Sequence, residues 1–312
     1  MKSRYILFVS FVILFAFDSY SQKNIAQINT ISASPYIPQY VEWGGEKIML
    51  DRYDMRERFD REMISFCYGH INTLMIIKRA NRYFPIIKPI IEEMGLPADF
   101  IYLAAIESSL NPRAQSPAKA VGLWQIMPAT AKEYGLEVND NVDERYNIIK
   151  STRAACEYLK KAYEKYGSWI TAAASYNAGQ NRISTEMTRQ LQNHAFDLWL
   201  NVETSRYMFR LMAIKMIMEN PVYYGFAIRS SQLYPSIRFK EIEVTSTISD
   251  LPRFAIDNGI SFSQLKEFNL WLRSQKLPVQ EGNSYMILIP YIDDLFYSTN
   301  SQEVYDKRWV ID

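Results

Sequence analysis

The chain of 312 residues has only two cysteines, Cys67 and Cys156. That is too few for a disulfide-built scaffold or a zinc site. In an oxidising compartment the two could pair, but each sits in an apolar helical pattern, so two buried free thiols are an equal alternative. An excess of one charge is missing as well: 35 Lys and Arg stand against 34 Asp and Glu. A balanced chain offers no electrostatic case for nucleic acid. After the first residues no apolar run is long enough to span a membrane, and there are no repeats or low-complexity tracts. Neither a metal nor a cofactor is predicted. What remains, 48% hydrophobic and 22% charged residues, is the composition of a globular protein with room for one large domain or two modest ones.

The one apolar run stands at the start. Lys2 and Arg4 precede Tyr5 to Phe17, interrupted only by Ser10, and Ser19-Tyr20-Ser21 gives a small-residue exit. This layout predicts a secretory signal peptide over residues 1–21, with an uncleaved N-terminal anchor as the alternative. No cysteine near the exit suggests a lipid anchor. Cleavage would remove Lys2, Arg4 and Asp18 and leave the charge balanced.

Residues 22–45, with Pro35, Pro38 and Gly44-Gly45, read as an irregular lead-in. From Glu46 to about residue 225 the period is helical, with no strand pattern. Ile64, Cys67, Tyr68, Ile71, Leu74 and Met75 suggest one apolar stripe, and Ile86 to Met94 another that Gly95 stops. Pro97 opens a helix carrying Phe100, Ile101, Leu103, Ala104 and Ile106. Further helices are predicted at 128–134, 151–166, 169–176 and 202–219. Residues 226–240 read as a linker, followed over 241–290 by strand, helix, helix, strand. There Ser249 or Asp250 would cap the first helix and Gly259 would close it. The tail, 291–312, carries no pattern. The fold class is therefore mainly α: a helical domain followed by a small α/β module.

Glu107 directly follows a buried apolar run, at a helix C-terminus. Apolar surroundings and the adverse end of the helix dipole both raise a carboxyl pKa. A carboxylic acid kept protonated near neutrality can give a proton to a glycosidic oxygen. The alternative is that Glu107 merely turns outward.

Glu107-Ser108, Gly122-Leu123-Trp124-Gln125-Ile126-Met127-Pro128 and Ala174-Ser175-Tyr176-Asn177-Ala178-Gly179 follow in this order. Together they resemble the soluble-lytic-transglycosylase-like domain of family 23 glycoside hydrolases. Val142 to Tyr146, Ser151 to Ala155 and Glu203 to Tyr207 extend the resemblance over roughly residues 80–225 and point to the membrane-bound lytic murein transglycosylase D type. The resemblance implies a lysozyme-like helical fold. It implies Glu107 as the catalytic acid/base with Ser108 beside it, and Gln125 reaching the sugar's N-acetyl region. Tyr176 would aim its hydroxyl at the catalytic carboxyl, Asn177 would accompany it, and Glu203 and Tyr207 would line the cleft. Met127 joins the binding set, although core packing is the alternative for Met127 and Trp124. Lys119 departs from the family where glycine is common, Val202 and Phe209 where prolines are usual, and Ser175 where alanine is frequent.

Most glycosidases need two carboxylates, and the three central blocks hold no acid besides Glu107. The resemblance implies a reaction without water. Glu107 protonates the bond between N-acetylmuramic acid and N-acetylglucosamine, then deprotonates the muramic 6-hydroxyl, which closes a 1,6-anhydro ring. It also implies peptidoglycan strands as the partner, action as a monomer, and a place in the periplasm or cell envelope. Residues 241–290 are similar in layout to a divergent LysM module, a glycan binder, with a plain packing appendage as the alternative. A hydrolytic muramidase and a non-catalytic wall-binding scaffold are the rival functions.

Overall fold

The computed structural model describes residues 33–297 and 303–312. The expected export signal and residues 22–32 of the lead-in lie outside the described residues. Every regular element described below lies within one compact unit, Ile37–Asp312.

It begins with a hairpin, β1 (Tyr40–Trp43) and β2 (Glu46–Met49). Gly44 and Gly45 have φ of 58° and 81°, the double left-handed turn that suits a two-residue hairpin loop. This corrects the expectation of an irregular lead-in and a helix from Glu46. Val41, Trp43 and Ile48 turn inward, but four-residue strands are too short for the alternation to stand out. Gly44 donates its N–H to Asp99 at 2.8 Å, and the Glu46 carboxylate accepts from Ser168 and Trp169.

The helices follow: α1 (Tyr53–Tyr68), α2 (His70–Glu93), α3 (Ile101–Ser108), α4 (Pro128–Glu133), α5 (Ile148–Tyr166), α6 (Trp169–Ala178), α7 (Gln180–Gln190) and α8 (Val202–Glu219). The predicted stripe from Ile64 to Met75 is not one face. Gly69 separates α1 from α2, and Ile64, Tyr68 and Ile71 are exposed, Ile71 to 80%. In α3 every residue from Ile101 to Ile106 is buried, and in α8 burial is nearly unbroken from Tyr207 to Met218. Helices apolar all round belong inside a protein. Accordingly α8 packs against α1, α3 and α6. Among the described residues no helix is long and apolar enough to cross a membrane.

Residues 226–240, expected as a linker, pack: Phe226, Ile228 and Leu233 lie in the main core. So does Trp309 of the tail, whose indole N–H donates to the Met218 carbonyl at 2.7 Å. Buried Asn81 on α2 holds both segments, bonding the Tyr234 and Glu303 carbonyls and the Tyr305 N–H. The module consists of β3 (Phe239–Val244), α9 (Leu251–Asp257), α10 (Phe262–Phe268) and β4 (Tyr285–Pro290), with β3 and β4 antiparallel and Ile242 opposite Ile287. Asp250 caps α9, and Ser261 with Gln264 boxes α10. Its core is shared: Val121, Val142 and Tyr146 of the helical part pack with Leu251, Leu265, Leu272 and Ile287. Cys67 and Cys156 are free and buried, and burial pushes their thiols up to about 11 and about 12. Neither is a nucleophile near neutral pH.

Candidate active site

Glu107 lies in the last turn of α3, where α8 crosses it. The residue is half-buried, with buried side chains around it on the same helix. Burial pushes it from an ordinary 4.5 up to about 7. A hydrogen bond from Tyr207 and the more distant charge of Arg210 oppose the rise, and Glu203 adds to it. The Tyr207 hydroxyl, on α8, donates to Glu107 Oε1 at 2.5 Å. Among the described residues no basic group pairs with Glu107, in contrast to buried Glu62, which Arg206 grips through both carboxylate oxygens at 2.8 and 3.0 Å. A carboxyl poised near 7, with one phenol on one oxygen, can both give and take a proton at neutral pH.

Tyr176 corrects the sequence expectation. It stands near Glu107, whose charge together with burial raises the phenol well above its usual 10. Its hydroxyl, however, donates to the Trp124 carbonyl at 2.7 Å. The carboxyl's partner is Tyr207, expected only as a cleft wall. Tyr176 therefore pins the turn of residues 121–127 against α6.

That turn is tightly specified. Gly122 has φ of 79°, and a Cβ there would lie 2.3 Å from the Arg145 carbonyl oxygen. Arg145 is buried and paired with Asp143 at 2.8 Å, and it donates to the Lys119 and Ile126 carbonyls at 2.9 and 3.2 Å. It thus clamps the loop on both sides of Gln125. Sequence reasoning gave Arg145 no role of its own, although an aspartate two residues before it offered a pairing partner. Ser109, Leu110, Lys119 and Gln125 all take left-handed backbone conformations with φ of 48–67°. Such strain in non-glycine residues concentrates where a site is being shaped. Lys119, at φ 67°, explains why glycine suits that position.

The other predicted residues divide. Gln125 is half-buried, and its amide nitrogen donates to the Ala114 and Gly122 carbonyls at 3.2 and 2.9 Å, leaving its carbonyl oxygen for a ligand. Met127 is 41% exposed beside it, whereas Trp124 is core, its indole N–H donating to Thr152 at 2.8 Å. Asn177, half-buried on α6, has no hydrogen-bond partner among the described residues. Ser108 is buried and bonds the Ala104 carbonyl of its own helix at 3.1 Å. Glu203 is exposed in the first turn of α8, one turn before Tyr207.

The module reaches this loop system directly. Asp143 N–H donates to the Trp271 carbonyl and Arg273 N–H to the Asn141 carbonyl, each at 2.8 Å. Tyr285 donates to Glu137 at 2.8 Å, and Arg113 pairs with Glu267.

Residues 85–198 match the family described as Transglycosylase SLT domain, and residues 240–292 the family described as Soluble lytic transglycosylase C-terminal LysM-like domain. The chain is homologous to membrane-bound lytic murein transglycosylase D of Escherichia coli, with 28% identity over 255 residues, covering 80% of this chain and 55% of that protein. It thus spans little more than half the length of that relative. A transglycosylase of Enterobacteria phage PRD1 is 37% identical over 78 residues, 25% of this chain and 27% of that one. Among solved structures, the 70-kDa soluble lytic transglycosylase of Escherichia coli aligns with a TM-score of 0.39 and 21% identity, over 54% of this chain and 30% of that one.

Proposed function

We propose that this protein is a peptidoglycan lytic transglycosylase with Glu107 as acid and then base. The observation that carries the reading is the setting of Glu107: a half-buried acid among buried side chains, bonded by the Tyr207 hydroxyl rather than paired with a cation, so that burial raises its pKa. Protonated Glu107 gives its proton to the oxygen joining N-acetylmuramic acid to N-acetylglucosamine, and the substrate's acetamido group takes up the developing positive charge. Ionised Glu107, now held by Tyr207, removes the proton of the muramic 6-hydroxyl as that oxygen attacks the anomeric carbon. The ring closes to a 1,6-anhydro sugar. An internal nucleophile needs neither water nor a second carboxylate, because it is already at high effective concentration. Gln125, Met127, Asn177 and Glu203 bind the neighbouring sugar groups, with Tyr176 and Ser108 supporting the frame.

On this reading the protein works outside the cytoplasm, where the strands are, in keeping with the export signal expected at residues 1–21. The module over 241–290 adds glycan contact. A variant with Glu107→Gln keeps its size and hydrogen bonding but cannot cycle a proton. It is expected to fold as the parent does and to leave purified insoluble peptidoglycan uncleared, as followed by turbidity and circular dichroism. Clearing at the parent rate by a folded E107Q would refute the assignment.

A further inference from the structure

Five of the six tryptophans are buried or half-buried, but Trp199 is 87% exposed. Its exposure is built into the backbone. After the short 3-10 turn Ala195–Asp197 the chain straightens at Leu198 (φ −84°, ψ 137°), and alternate side chains of an extended chain face opposite ways. Leu198 is buried and Leu200 packs against the main core, so Trp199 between them is thrown outward. The Gln190 side chain fixes it there: its carbonyl accepts from the Trp199 N–H at 2.6 Å and its amide donates to the Trp199 carbonyl at 3.1 Å. Leu191, adjoining Gln190, is 88% exposed and Val202 71%. An apolar ledge held rigid in water marks a surface meant to be covered.

The ledge stands at the start of α8, the helix that carries the site. Tyr207 bonds Glu107, Glu203 lies one turn earlier at about 6 Å along the helix axis, and Trp199 comes four residues before that. The Trp199 indole offers a flat apolar face and an N–H with no partner among the described residues, which matches a pyranose ring with its apolar face and hydroxyl rim. A lipid surface would call for flanking basic residues free to meet it, whereas Arg52 beside the ledge is already paired with Asp197 and Glu203 is acidic. We infer that Trp199, flanked in the chain by exposed Leu191 and Val202, is a stacking platform for a sugar of the same glycan strand, beyond the sugars held at Glu107. The inference rests on the proposed glycan-cleaving function.

The test uses the full chain with E107Q, so that nothing is turned over, and oligomers of β-1,4-linked N-acetylglucosamine as probes. In E107Q the hexasaccharide is expected to quench and blue-shift tryptophan fluorescence. Adding Trp199→Ala should abolish that signal and weaken hexasaccharide binding, measured by calorimetry, about tenfold. Trisaccharide binding should stay unchanged, and Trp199→Phe should restore most of the loss. Equal hexasaccharide affinity with and without the indole would overturn the platform while leaving the cleft intact. Failure of both oligomers to bind E107Q would instead remove the glycan reading on which it rests.

Discussion

At Glu107 the chain spends stability to hold a proton. Burial raises the folded-state value from 4.5 to about 7, so the folded chain binds this proton more tightly than the unfolded one. That contribution is complete below about pH 4.5 and is lost as pH rises to about 7. Above 7 the folded state carries an ionised carboxylate that it solvates poorly. E107Q, neutral at every pH, is therefore expected to be more stable than the parent at pH 8, by on the order of 2–3 kcal/mol, and no more stable at pH 4. Parallel denaturant titrations at the two pH values decide it, and equal differences at both would contradict the burial argument. Tyr207 works the other way, because its O–H favours the ionised carboxylate. Tyr207→Phe should shift the alkaline fall of the pH–rate profile upward by about one pH unit. An unmoved or lowered limb would mean that the hydrogen bond has no hold on the catalytic proton. The buried setting of Glu107 was legible in the sequence, because six apolar residues precede it in the helix. Its partner was not. Tyr176 and Tyr207 look alike in sequence, and only the crossing of α3 and α8 decides which hydroxyl arrives.

Among the elements, the helices were legible where apolar spacing was sustained or caps were sharp: α5, α6, α8 and α9 stand within a few residues of their predicted bounds. The hairpin was not, since its signal lies in two glycines and four-residue strands. The stripe from Ile64 to Met75 misled because Gly69 breaks the helix and turns Ile71 to solvent. The loop of residues 119–126 shows how a small element acquires a fixed shape. Arg145 reaches both sides of Gln125 and pairs with Asp143, with only 7% and 10% of their side chains exposed. Removing the cation leaves a buried carboxylate without its ion pair and the Lys119 carbonyl without its donor. Arg145→Ala is expected to cost about 3–5 kcal/mol and to raise KM on solubilised glycan strands more than it lowers kcat, because Gln125 loses its seat. A loss under about 1 kcal/mol in denaturant unfolding would show that the clamp is dispensable.

Over the whole molecule, the mainly α class and the trailing α/β module could be read from period and composition, but their union could not. Segments without pattern, 226–240 and the tail, supply Leu233 and Trp309 to the main core through contacts with α2 and α8 that no local window contains. The module likewise shares a core with Val121 and Val142, close to the loop that seats Gln125. The module and the helical part are thus joined in one core. The central claim is that this bond breaks without water, by a single carboxyl that returns for a second proton. Mass spectrometry of the fragments released from purified peptidoglycan tests it directly. Muramic ends lighter by one water than their hydrolysed counterparts, formed by the parent and absent with E107Q, are the predicted result. Hydrated reducing ends from the parent would contradict it.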